Sequence, residues 1–165
     1  MASPAGGTDP AGPRWLADGM LGRLARYLRF MGHDVRFERN TPDAGLMEIA
    51  RTEGRILLTR DRALAARCPG CFEIPSVDLR EQLRAVRGAF PAAGYEVRFT
   101  RCTVCNGPLH EVDRGARETY RALVPAGVID RDLPLYRCAE CGHLYWEGSH
   151  TARVRAYLAE TWGSP

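Results

Sequence analysis

Between residues 15 and 90 the chain alternates four times between a short apolar run and a longer stretch with helical periodicity. Trp15, Leu16 and Ala17 form the first run. Leu21, Leu24, Leu28 and Met31 then recur at three- and four-residue intervals, with Arg23, Arg26 and Arg29 on the remaining arc, which predicts a helix directly after the strand. Residues 34–38 (DVRFE) alternate Val35 and Phe37 with polar positions and predict a second strand. NTPD breaks the chain, and a helix from Asp43 carries Leu46, Met47, Ile49 and Ala50 on one face and ends near Gly54. RILLT (55–59) predicts a third strand, almost wholly apolar as in sheets covered on both faces, and Asp61 opens another helix. CFEIP (71–75) predicts a fourth strand, followed by a helix bearing Leu79, Leu83, Val86 and Phe90. This alternation with short links predicts an α/β fold, a parallel sheet with right-handed helical crossovers.

Asp18, Asp43, Asp61 and Asp78 each follow one of these strands. Parallel strands end on one side, so the four carboxylates are expected at a common rim, where open α/β sheets bind ligands. Asp is also a preferred helix N-cap, and capping stands as the alternative for each of them. Crowded carboxylates repel one another unless a cation sits among them, and an oxygen-only set suits Mg²⁺ or Mn²⁺ completed by substrate phosphate. Two such ions about 3.5–4 Å apart clamp the attacking and leaving oxygens in phosphodiester cleavage. Arg23, Arg26, Arg60 and Arg62 are the cations available for the flanking phosphates, with a solvated helix face as the alternative for each. The chain has no P-loop, no H-E-x-x-H and no G-x-S-x-G, so P-loop hydrolysis, zinc proteolysis and serine acyl chemistry lack support.

From residue 96 the pattern changes. Cys102 and Cys105 form one Cys-x-x-Cys knuckle, Cys138 and Cys141 another, and together they offer a tetrahedral Cys₄ site for structural zinc with Zn–S near ~2.3 Å. Four thiolates leave no open position for catalysis. The long interval between the knuckles predicts an inserted element, and a segment this short needs folding free energy from the metal. His143 stands close to the second knuckle, but with four Cys available it reads as a loop residue. Cys68 and Cys71 (CPGC) precede a strand across a Pro-Gly turn instead of opening a helix, so ordinary thiols are expected there. The last helix carries Val154, Tyr157, Leu158 and Trp162. Either its His150, Arg153 and Arg155 face nucleic acid or the helix docks on the main domain.

Length and charge add boundaries. The 165 residues allow one domain or two small ones. The expected organisation is a disordered tail over 1–13, an α/β domain over 14–95, and a zinc ribbon with a C-terminal helix over 96–165. No apolar run is long enough to span a membrane. The first residues lack a basic n-region and an apolar core, which leads to a cytoplasmic expectation and favours metal-binding over disulfide cysteines. Residues 14–95 hold 14 Arg against 10 acids, residues 96–165 hold 9 of each, so the basic surplus lies in the part containing Asp18. All 23 basic residues are Arg, a choice over Lys that reads as a GC-rich genome.

DGMLGRLARYLRFMG, LLTRD, the EQL of the fourth helix and RCTVCN…CAECGHLYWEGSH together resemble the PIN-like ribonuclease family of the Mut-seven C-terminal domain type. The resemblance runs over about residues 14–157. It implies a PIN-like parallel sheet flanked by helices, followed by a small Cys₄ zinc ribbon and a C-terminal helix. It also implies a metal-dependent ribonuclease in which Asp18, Asp43 and Asp61 stand at the family's acidic positions and Cys102, Cys105, Cys138 and Cys141 at its zinc ligands. Asp78 matches only loosely. The expected function is Mg²⁺- or Mn²⁺-dependent cleavage of RNA, with the ribbon aiding RNA binding or contact with a protein or ribosome partner. The runner-up is a non-catalytic RNA- or ribosome-binding zinc-ribbon protein. Another metal-dependent phosphoesterase is a third expectation.

Overall fold

Trp15, Leu16 and Ala17 are all inaccessible to solvent, because β1 (Trp15–Ala17) is an inner strand with helices on both sides. The computed structural model describes residues 12–163. Apart from residues 12 and 13, the expectation for the first thirteen residues lies outside that range. β2 (Val35–Phe37), β3 (Ile56–Thr59) and β4 (Phe72–Glu73) complete a four-stranded parallel sheet in the order β2-β1-β3-β4. Trp15 pairs with Val35 on one side and Ile56 on the other. α1 (Gly22–Phe30), α2 (Asp43–Glu53) and α3 (Arg62–Arg67) are the crossovers, and α4 (Leu79–Ala89) follows β4.

The two-residue alternation of strand side chains splits the interior into two layers. Trp15, Ala17 and Leu58 join Leu24 and Leu28 of α1 and Leu83 and Val86 of α4 in the larger core. Leu16 and Leu57 point the other way and meet Leu46 of α2 and Leu64 of α3. Neighbouring strands β1 and β3 therefore send their following helices to opposite faces. In open α/β sheets such a divergence marks the place, outside the carboxyl ends of the strands, where ligands bind. The fourth strand is shorter than residues 71–75, since β4 pairs with β3 alone; Ile74 still donates to the Thr59 carbonyl at 2.8 Å and is buried.

β5 (Leu109–Glu111), β6 (Leu135–Cys138) and β7 (Leu144–Trp146) form a separate antiparallel sheet. The expected insertion between the knuckles is a 3₁₀ stretch, Arg114–Leu123, and α5 (Ala126–Asp130), held on a small core of Val112, Val124, Val128 and Leu135. α6 (Ser149–Trp162) then runs back onto the α/β layer. Its Val154 and Leu158 enter the larger core, Glu160 pairs with Arg80 at 2.7 Å, and Arg84 bonds the Thr161 carbonyl. The expected docking of this helix is observed, while His150 and Arg153 stay exposed and Arg155 is paired with Glu147 at 2.6 Å.

The second sheet is fastened at the amino ends of the parallel strands. The Asn106 side-chain amide donates to Asp34 at 2.8 Å and accepts the Val35 backbone N–H at 2.8 Å. Buried Arg29 bonds the Val35 carbonyl with Nε and Nη2, and the Thr103 and Val104 carbonyls with Nη1. Asp34 also meets Arg55 and Arg14. Cys68 and Cys71, expected as ordinary thiols, are joined by a disulfide: the Pro-Gly turn, with Gly70 at φ 83°, brings their Cα atoms to 5.5 Å, within bridging range. No described helix is long and apolar enough to cross a membrane.

Candidate active site and metal centre

Strand order places the four aspartates along one rim in the sequence Asp43, Asp18, Asp61, Asp78. Asp18 is only 6% exposed and does not cap α1, whose N-cap is Leu21 and which lacks a side-chain cap bond. Its Oδ1 accepts the Met20 N–H at 2.9 Å. Its Oδ2 accepts the Thr59 hydroxyl and the Arg60 N–H, the latter at 3.3 Å. Every one of these donors is neutral. Asp18 is thus a buried carboxylate, oriented on both oxygens, without a cationic side-chain partner among the described residues. A buried charge of this kind is costly unless a positive charge compensates it.

Thr59, wholly buried at the end of β3, connects the two central acids. Its hydroxyl donates to Asp18 and accepts the Asp61 backbone N–H at 3.0 Å. Asp61 caps α3, its Oδ1 accepting from Ala63 N–H at 2.7 Å and Leu64 N–H at 3.0 Å. Asp78 caps α4 through Glu81 N–H at 3.0 Å. Asp43 opens α2 behind Pro42 and is paired with Arg67 of α3 at 2.7 Å. The capping alternative accordingly describes Asp61 and Asp78 and fails for Asp18. Gly19 brings the first two loops together, since a Cβ there would stand 2.4 Å from the Arg39 carbonyl oxygen. Asp18 and Asp61 are joined through one hydroxyl, whereas Asp43 is held by Arg67 at the far end of α3 and Asp78 stands one strand further out, so among the described residues no three of these carboxylates gather closely enough to share one ion.

Among the arginines singled out, Arg23 and Arg26 are exposed on α1, and Arg62 is exposed at the start of α3. None has a carboxylate partner among the described residues. Arg60 is half-buried, and its Nε is enclosed without a hydrogen-bond acceptor. The sequence reading missed Thr59, whose only signal is its place two residues before Asp61 in LLTRD. It also missed Arg29 and Asn106, whose roles depend on contacts between distant segments.

Cys102, Cys105, Cys138 and Cys141 form the one cluster of metal-ligand type among the described residues, with all four Sγ atoms within 4.8 Å of one another. Cys102 and Cys141 are 3.6 Å apart, Cys105 and Cys138 3.4 Å. A zinc tetrahedron with bonds of ~2.3 Å has edges of about 3.8 Å, so the set could bind structural zinc with little adjustment. Backbone N–H groups of Cys105, Gly107 and Cys141 point at the sulfurs at 3.4–3.5 Å. The turns require a left-handed residue after each second cysteine, supplied by Asn106 at φ 72° and Gly142 at φ 74°. Burial pushes the Cys102 thiol up, but hydrogen bonds from Tyr145 and from the Cys105 and Val104 backbone outweigh it and hold it at about 7. Burial and the neighbouring sulfurs push Cys105 up to about 12. Four adjacent thiols shed their protons together only when a cation takes their place.

A family model described as the Mut7-C RNAse domain matches residues 13–158. No curated protein and no solved structure matches the chain.

Proposed function

Because the chain belongs to the Mut7-C RNAse domain family, we propose that it is a divalent-metal-dependent ribonuclease with its active site at the aspartate rim and a structural zinc ribbon at the opposite end. The observation that carries this reading is Asp18, a buried, doubly oriented carboxylate with no cationic side chain to neutralise it. Asp18, Asp43 and Asp61 would hold Mg²⁺ or Mn²⁺, with Asp78 as an outlying fourth acid. Such an ion, when bound, stabilises charge on a phosphodiester and lowers the pKa of bound water. Thr59 fixes the Asp18 carboxylate, and the α3 cap turns one Asp61 oxygen toward its own helix, leaving Oδ2 for the rim. Arg23, Arg60 and Arg62 hold RNA phosphates on either side of the rim, where a guanidinium matches phosphate geometry. Residues 14–95 supply this chemistry, and residues 96–165 brace the layer and provide further surface for RNA or a protein partner.

Incubation of zinc-loaded protein with single-stranded RNA, with and without Mn²⁺, tests the proposal. Cleavage should depend on Mn²⁺ and be abolished in Asp18→Asn and strongly reduced in Asp61→Asn. Equal cleavage by wild type and both variants would refute the assignment. Metal-independent binding without turnover would favour the non-catalytic alternative.

A further inference from the structure

A second concavity lies where α1, the ribbon sheet and the start of α6 meet, with a volume of about 270 Å³. Its walls are aromatic: Phe30 from α1, Phe99 from the connection after α4, and Tyr145 and Trp146 from β7. His143 and His150 stand exposed at its edge, and Arg26 enters from α1 with its guanidinium 5.8 Å from the Phe30 ring centre. We infer that this cleft is a nucleobase subsite, taking one unstacked base of a single-stranded RNA while Arg26 meets an adjacent phosphate. The inference rests on the ribonuclease reading for the identity of the ligand as RNA.

Charge decides between the ligands that aromatic walls suit. Quaternary ammonium groups also bind among aromatic faces, but no carboxylate lines this cleft among the described residues and Arg26 occupies its edge. A cation would be repelled there, whereas a neutral base carrying a phosphate is complemented. The ring positions are fixed by neighbours: Phe99 stacks on Tyr136 at 4.9 Å with the planes 2° apart, and Phe30 contacts His150 at 5.6 Å. The Tyr145 hydroxyl is already engaged by Thr103 and Cys102, so that residue offers its ring and not a donor. Base stacking on rings of this kind tolerates any sequence.

The cleft is placed to act with the aspartate rim. α1 starts just after Asp18 and presents Arg23 and then Arg26 on its way to Phe30. Gly22 and Phe30 are about 12 Å apart along the helix at 1.5 Å per residue. At about 3.4 Å per stacked nucleotide, the base in the cleft lies roughly two to four nucleotides from the bond held at the rim.

The test is abasic scanning. A short fluorescent oligoadenylate carries one abasic site, moved stepwise along the strand, and its binding to the zinc-loaded protein is measured by anisotropy without Mn²⁺. Cleavage of the same strands is followed in parallel with Mn²⁺. The subsite predicts that one position, at a constant offset from the cut where cleavage occurs, binds about tenfold more weakly than the others. Phe99→Ala should erase that position dependence. His150→Ala, at an exposed site, should reduce it, and Arg26→Ala should lower the salt dependence of binding. Uniform binding at all abasic positions, an unchanged profile in Phe99→Ala and His150→Ala, or no RNA binding would overturn the inference. Mn²⁺-dependent cleavage with a uniform profile leaves the ribonuclease reading standing and removes the subsite alone. A position-dependent profile without cleavage supports the subsite and removes the catalytic reading.

Discussion

Replacing Thr59 with Val removes one hydroxyl and keeps the side-chain volume nearly constant, so its consequences come from hydrogen bonding. In the wild type that hydroxyl donates to the Asp18 carboxylate and accepts the Asp61 N–H at 3.0 Å, at a site with no solvent access. A hydrogen bond to a charged group contributes about 1.5–3 kcal/mol, and an orphaned buried N–H costs about 1–3 kcal/mol. Asp61 sits at the surface and its N–H regains water in part, so the sum falls near 3 kcal/mol. For a chain of this size, about 2–4 °C is lost per kcal/mol, and thermal denaturation should show a fall of roughly 6–12 °C. The effect on cleavage should be larger than stability explains. With Oδ2 released, Asp18 can rotate, and kcat should fall about tenfold or more while KM for RNA changes little, because the arginines that bind phosphate are untouched. Thr59→Ser restores the hydroxyl and should recover most of both quantities. Wild-type kcat and melting temperature in Thr59→Val would refute the idea that this hydroxyl holds the acid pair.

The ribbon and its attachment are tested separately. Asp34 is raised by burial, but hydrogen bonds from Arg55, Asn106 and Arg14 outweigh this and hold its carboxyl at about 2. A lowered carboxylate pKa stabilises the fold above the unfolded value near ~3.9 and loses that contribution as pH falls toward about 2, an effect of about 2 kcal/mol. The urea midpoints of wild type and Asp34→Asn should therefore converge between pH 4 and 2; a constant gap would contradict the assignment. Cys138→Ser should bind less than stoichiometric zinc and lose its β6-centred core, read as reduced zinc content and early proteolysis between the knuckles. Asn106→Ala removes two hydrogen bonds and puts a Cβ-bearing residue of lower αL tolerance at φ 72°. It should cost about 2–3 kcal/mol and speed hydrogen exchange at the Val35 amide.

How much could be read from sequence depended on the range of the interaction. The α1 face showed itself because Leu24 and Leu28 repeat at helical spacing and are buried, and α2 ends at Gly54, left-handed at φ 62°. The Cys₄ site was legible because each knuckle is local. The strand order β2-β1-β3-β4 was not, since nothing local says which neighbour β1 chooses, yet that order decides that Asp18 and Asp61 are adjacent and Asp78 is remote. Nor could periodicity place the ribbon at the amino ends of the strands. That position is set by Arg29 reaching Thr103 and Val104 and by Asn106 reaching Val35, contacts across more than 70 residues. Asp18 and Asp61 look alike as acids after strands, and only geometry separates the oriented carboxylate from the helix cap. The CPGC pair was read from its context as thiols, whereas the turn itself brings the two sulfurs together.

If Asp18 and Asp61 form, as proposed, a divalent-metal site distinct from the zinc ribbon, that site should take up manganese. Anomalous diffraction from crystals of the zinc-loaded protein soaked in Mn²⁺ addresses it directly, with data on both sides of the zinc edge to identify each ion. A manganese peak is expected against Asp18 and Asp61 at the carboxyl ends of β1 and β3, and a zinc peak among Cys102, Cys105, Cys138 and Cys141. Zinc in the ribbon with no manganese at the aspartate rim, under conditions where RNA is cleaved, would contradict it.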